Sequence, residues 1–97
     1  MKKSVFITGA SRGIGKAISL RMAKLGHSVF LLARDERALE AVADECRTMD
    51  ASASYLAGEL ADLAYLDSAL QAAADAHGSV DVLVNNAGAA RRESMQE

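Results

Sequence analysis

Short runs of nearly continuous apolar residues punctuate the chain: SVFIT at Ser4 to Thr8, SVFLLA at Ser28 to Ala33 and VDVLVN at Val80 to Asn85. Each carries β-branched or aromatic residues and is too short for an independent helix, so each predicts a buried strand. ASYLA, Ala53 to Ala57, is weaker but stands where a further strand is due. The intervening segments repeat their apolar residues at helical spacing. The resulting βαβαβαβ order predicts an α/β protein built on a parallel sheet.

The first helical stripe runs through Ile14, Ala17, Ile18, Met22 and Leu25, with Gly26 placed to close it in a left-handed cap. Leu39, Val42, Cys46 and Met49 form the second stripe. Leu63, Leu66, Leu70, Ala73 and Ala74 form the third, with Asp62 as N-cap and Gly78 as stop. There is no proline, no repeat and no linker-like stretch, so residues 1–97 read as one domain.

Composition narrows the classes. A chain of 97 residues with 51% hydrophobic content and a formal charge of −2 suits one soluble domain. Its 11 basic and 13 acidic residues are interspersed, which excludes the dense positive surface that nucleic-acid binding needs. MKKSVFI begins like a secretory signal, but its apolar run stops at Ile7 before a glycine turn and reads better as a strand. No run approaches the ~18 apolar residues of a membrane span. A single cysteine forms no internal disulfide, and a cytoplasmic setting is the default. Cys46 lies in an apolar stripe and reads as core. His27 and His77 flank the helix-ending glycines, where an imidazole favours the negative helix end. Neither has partners at ligand spacing, so no metal site is assigned.

The chemistry concentrates in TGASRGIG, Thr8 to Gly15, between the first strand and the first helix. Gly9 permits the sharp turn out of the strand, Gly13 lets backbone approach a pyrophosphate, and Gly15 lets helix and strand pack closely. The helix start then offers unpaired N–H groups and its positive dipole end to phosphates. The spacing is neither G-x-G-x-x-G nor a P-loop, which removes kinase-like and GTPase-like readings.

T-G-x-x-x-G-x-G at residues 8–15, together with Asn85-Asn86-Ala87-Gly88 after the last strand, resembles the short-chain dehydrogenase/reductases over essentially the whole chain. The resemblance implies a Rossmann-type doubly wound parallel sheet. Its first four strands would lie in the order 3-2-1-4 with three helices, and the fold would be incomplete at the C-terminal side. It also implies that the turn, with Gly9, Ser11, Arg12, Gly13, Ile14 and Gly15, holds the cofactor pyrophosphate. Asn85, Ala87 and Gly88 would line the adenosine side, while Asn86 braces the sheet. Gly58-Glu59-Leu60 occupies the place where the family commonly has an aspartate and an apolar residue near the adenine. Glu59 then stands in for the aspartate, or simply faces solvent, and Leu60 packs on the ring.

About twenty residues beyond the glycine turn an NAD site usually places an acid against the ribose hydroxyls. Here Ala33 and Arg34 stand instead. A guanidinium binds a 2′-phosphate that a carboxylate would repel, and Arg12 approaches from the turn, so NADP(H) is expected over NAD(H). Two alternatives stay open. Asp35 either swings back onto the ribose or caps the second helix, and both arginines are otherwise ordinary solvated charges.

The family resemblance further implies a catalytic serine and a tyrosine followed four positions later by lysine. Tyr55 is followed by Glu59 and Tyr65 by Ala69, so neither fits and both read as packing residues. Ser11 and Ser94 are not promoted in their place. No catalytic residue is assigned; the reaction, a hydride transfer between nicotinamide and a carbonyl or alcohol substrate, is expected to use residues beyond Glu97. The alternative is a naturally short nucleotide-binding or regulatory module. The open apolar edge at Val82 to Val84 predicts self-association or homo-oligomer formation.

Overall fold

The structure, a computed structural model, describes residues 2–86. Strands β1 (Ser4–Thr8), β2 (Ser28–Ala33), β3 (Ala53–Ala57) and β4 (Val82–Asn85) alternate with helices α1 (Gly13–Lys24), α2 (Glu36–Arg47) and α3 (Leu63–His77). All strand pairs are parallel, in the order β3-β2-β1-β4. This is the Rossmann-type α/β sheet expected above.

Strand alternation divides the core between the two faces. Val5, Ile7, Val29 and Leu31 project to one side, against Leu39, Val42, Ala43 and Cys46 of α2 and Ala23 of α1. Phe6, Phe30 and Leu32 project to the other, against Ala69 and Ala73 of α3. Register makes the second face coherent: Phe6 lies opposite Phe30, and their rings stack with centroids 5.6 Å apart. The central strands β1 and β2 are therefore covered on both sides, which is why they read as continuous apolar runs. Among the described residues no helix is long and apolar enough to cross a membrane.

The helix ends follow the sequence closely. Gly26 has φ 93° and closes α1 in a Schellman arrangement: its N–H donates to the Ala23 carbonyl, and the N–H of His27 to that of Met22. Asp62 caps α3 by accepting from the N–H groups of Ala64 and Tyr65, and Gly78, at φ 87°, ends it. Cys46 is fully buried, and burial pushes its thiol pKa up.

The docking faces of α1 and α3 differ from the expected stripes. In α1 the buried residues are Gly15, Ser19 and Ala23, with Ile18 and Met22 only partly covered, while Ile14 is 71% and Leu25 55% exposed. In α3 they are Ala69 and Ala73, while Leu63 is 74% exposed and Leu70 is also exposed. Small residues let a helix backbone approach the sheet, so the seam runs through the least hydrophobic-looking positions. Ser19 tolerates burial because its hydroxyl donates to the Gly15 carbonyl at 2.7 Å. Met49 falls beyond α2 and is exposed.

Two further differences have local causes. β4 begins at Val82 rather than Val80 because the Asp81 carboxylate accepts from the Ser4 N–H at 2.8 Å, and its own N–H donates to the Ser4 carbonyl. That residue anchors the strand without extending it. Each histidine makes a contact that the sequence did not suggest. The Nδ1 of His27 accepts from the Lys3 N–H at 3.0 Å. His77 packs edge-on against Phe30, and burial lowers its pKa, helped by Lys2. The nearby Val29 backbone favours the protonated ring, but the buried Nε2 makes no hydrogen bond.

Candidate functional site

Because the strands are parallel, their carboxyl ends lie along one edge of the sheet. The chain runs from β1 outward through β2 to β3, then returns to place β4 on the other side of β1. The crevice at this reversal is where open α/β sheets bind ligands. Thr8 and Asn85, the last residues of β1 and β4, lie opposite each other there. The Thr8 hydroxyl approaches the Asn85 Oδ1 at 3.3 Å and the Val84 carbonyl at 3.4 Å.

The glycine turn leaves β1 at this point. Gly9 and Gly13 have φ of 62° and 59°, values at which an L side chain is strained, so these positions require glycine for backbone reasons. Gly15 is different. A Cβ there would collide with the Gly9 carbonyl oxygen and lie 2.9 Å from the Asn86 Nδ2. Glycine is thus needed for the close passage of α1 over the turn. The Asn86 side chain donates to the Gly9 carbonyl at 3.2 Å, bracing the turn from the end of β4.

The turn's amides divide into two sets. The Ala10 N–H donates to the Leu32 carbonyl at 3.0 Å, and the Lys16 N–H to the Arg12 carbonyl at 3.3 Å, where the helical ladder starts. The intervening N–H groups of Gly13, Ile14 and Gly15 form the first turn of α1, which has no intrahelical acceptors for them. They face the end of the helix at which the dipole is positive. Arg12 is the N-cap, extended and exposed, and its side chain makes no cap hydrogen bond.

At the tip of β2, Arg34 is exposed and its Nη1 lies 3.5 Å from the Glu59 Oε1 at the tip of β3. Asp35 caps α2: its Oδ1 accepts from the Ala38 N–H at 3.1 Å. Leu60 lies with Phe6, Thr8, Leu66, Leu70, Leu83 and Asn85 around a largely apolar cavity of about 300 Å³ beside α3. The structure therefore brings Gly9, Ser11, Arg12, Gly13, Ile14, Gly15, Arg34, Glu59, Leu60 and Asn85 to one edge of the sheet. Ala87 and Gly88 lie outside the described residues.

Neither tyrosine resembles an acid–base group. The Tyr65 hydroxyl donates to the Leu56 carbonyl at 2.6 Å, and burial pushes its pKa up to about 12. Tyr55 packs against the core formed with α1 and α2. Thr8 was read only as the start of the glycine motif, and Asn86, expected to brace the sheet, braces the glycine turn instead. The available signal was their position, at and just past the ends of strands that flank the topological reversal.

Fold and site together define a Rossmann-type domain with a glycine turn at its switch point. The family model for short chain dehydrogenase matches residues 3–97, and the chain belongs to that family. Among curated relatives, the Staphylococcus aureus 3-oxoacyl-(acyl-carrier-protein) reductase FabG is 37% identical over 92 residues, covering 94% of this chain and 37% of the relative. Among solved structures, an actinorhodin polyketide ketoreductase variant with NADPH superposes with a TM-score of 0.83 at 33% identity, covering 88% of this chain and 33% of the other. The L-sorbose reductase of Gluconobacter frateurii, complexed with NADPH and L-sorbose, gives a TM-score of 0.83 at 31% identity, with the same coverages of 88% and 33%. The chain spans about a third of the length of the relatives it matches.

Proposed function

We propose that this chain forms the NADP(H)-binding portion of an oxidoreductase that exchanges a hydride between nicotinamide and a carbonyl or alcohol substrate. The observation that carries the reading is the first turn of α1, whose amides have no intrahelical acceptors, set at the switch point by Gly9 and Gly13 in positive-φ conformations. The N–H groups of Gly13, Ile14 and Gly15 bind the diphosphate, with Ser11 beside them. Arg34, and Arg12 from the turn, bind the 2′-phosphate through charge-assisted hydrogen bonds. Asn85 lines the adenosine side, and Leu60 offers an apolar surface to the base.

Asp35 supports the phosphorylated cofactor by default. Its carboxylate is engaged with the α2 N-terminus, leaving the β2 tip to Arg34. The relatives crystallised with NADPH point the same way. When bound, the nicotinamide supplies or accepts the hydride; the residues of this chain hold and orient the cofactor. The proton-transferring groups belong, in this proposal, to residues outside this sequence. The setting proposed is the cytoplasm, where a lone thiol such as Cys46 stays reduced.

The test is a titration of NADPH and NADH followed by cofactor fluorescence. NADPH should bind more tightly, and Arg34→Ala should weaken it by roughly ten- to a hundredfold, since hydrogen bonds to charged groups contribute about 1.5–3 kcal/mol. NADH binding should barely change. Equal loss for both would remove the preference for the phosphorylated cofactor, and absence of binding by either would refute the proposal.

A further inference from the structure

We infer that Glu59 tunes discrimination of the 2′-phosphate by competing with it for the Arg34 guanidinium. The inference rests on the NADP(H) reading above. Glu59 therefore acts here as a specificity-setting neighbour of the proposed phosphate ligand, and not as a contact to the base.

The sheet register brings the two residues together. β2 and β3 run side by side to the pair Ala33 and Ala57, and the Gly58 N–H donates to the Ala33 carbonyl at 3.0 Å. Arg34 and Glu59 therefore leave adjacent strand tips at the same edge. Their side chains are 81% and 52% exposed, and the contact, at 3.5 Å, is long for an ion pair. An exposed pair of this kind contributes little to folding. Its consequence is local, because it determines which anion the guanidinium faces.

The segment that carries Glu59 is held in place. The Tyr65 hydroxyl donates to the Leu56 carbonyl at 2.6 Å, and the Asp62 N–H to the Glu59 carbonyl at 2.9 Å. Gly58 lies close against the Tyr65 ring, so that a Cβ at this position would run into the ring atoms. The carboxylate therefore starts from a fixed backbone position next to Arg34. On the other side of Arg34, Asp35 is already committed to its helix cap. A 2′-phosphate arriving at the guanidinium must displace Glu59, whereas an unphosphorylated ribose need not.

The experiment compares the full chain with Glu59→Gln, Arg34→Ala and the double variant, using NADPH, NADH, 2′,5′-ADP and 5′-AMP as probes. Glu59→Gln keeps the side chain's size and removes its charge. It should tighten NADPH and 2′,5′-ADP by about two- to fivefold, the scale of an exposed ion pair, while leaving NADH and 5′-AMP unchanged. In the Arg34→Ala background the same substitution should have no effect. A gain for all four probes, no gain, or a gain that persists without Arg34 would overturn the competition. If the unsubstituted chain prefers NADPH yet Glu59→Gln changes nothing, this inference alone falls. If the unsubstituted chain binds no probe, or binds NADH as well as NADPH, the cofactor proposal falls first and takes this one with it.

Discussion

Replacing Gly15 with alanine separates two opposing expectations. Gly15 lies in the first turn of α1, and on helix propensity alone alanine should stabilise the protein by roughly 0.5–1 kcal/mol. The structure predicts the reverse. The new Cβ would overlap the Gly9 carbonyl oxygen and approach the Gly9 carbonyl carbon to 2.7 Å and the Asn86 Nδ2 to 2.9 Å. Two of these are backbone atoms, which cannot rotate away as a side-chain end would. Relieving the overlap must lift α1 from the turn or push the turn off the Asn86 side chain. Overpacking of this kind costs about 1–3 kcal/mol, and losing the Asn86 hydrogen bond adds about 0.5–1.5 kcal/mol. After subtracting the propensity gain, a net loss of about 1–3 kcal/mol is expected, which in a domain this small lowers Tm by roughly 5–20 °C. Gly13→Ala is the control: nothing lies within 4 Å of its added Cβ, and only the positive φ of 59° is penalised, by about 1–2 kcal/mol. Thermal melts followed by circular dichroism measure both. A Gly15→Ala variant that melts higher than the parent would refute the close-approach argument.

The other tests address Asp35, whose role the sequence left open, and Tyr65. Asp35→Ala removes the cap on the Ala38 N–H and should cost about 0.5–2 kcal/mol in a urea melt. The NADPH-to-NADH affinity ratio should not move, and a selective loss of NADH would show that Asp35 reaches the ribose after all. Tyr65→Phe removes the hydrogen bond to the Leu56 carbonyl and should cost about 0.5–1.5 kcal/mol at neutral pH. The Tyr65 pKa is raised from 10.0 to about 12 in the folded protein. Its contribution is therefore complete below pH 10 and fades as pH rises toward 12, because the unfolded chain ionises first. The stability difference between parent and Tyr65→Phe should be flat below pH 10 and shrink above it. A flat difference through pH 12 would contradict the raised pKa.

What the sequence revealed depended on whether a feature is local. Strand runs, the Asp35 and Asp62 caps, and the glycine stops at Gly26 and Gly78 are each decided within a few residues, and apart from the later start of β4 these appear where expected. The glycine turn was legible for the same reason, since positive φ at Gly9 and Gly13 is a property of the residue itself. The faces of α1 and α3 were read only in part: Ile18, Met22, Leu66 and Ala73 pack on the core as expected, but hydrophobicity identifies bulky residues and so passed over the buried Gly15, Ala23 and Ala69. Ile14 and Leu63 score highly and yet point outward.

Non-local geometry was the part that stayed hidden, and it bears most directly on specificity. Arg34 and Glu59 are 25 residues apart, and nothing in either neighbourhood announces the other. They meet only because β2 and β3 are paired in parallel to their last residues. Read from the sequence, Arg34 was a cation awaiting a phosphate, and Glu59 a neighbour of the adenine or of solvent. Placed on the sheet, the same two residues form one switchable contact. The affinity of the site for a phosphorylated ribose then depends on the difference between two anions competing for one guanidinium, which a motif read along a single strand does not reveal.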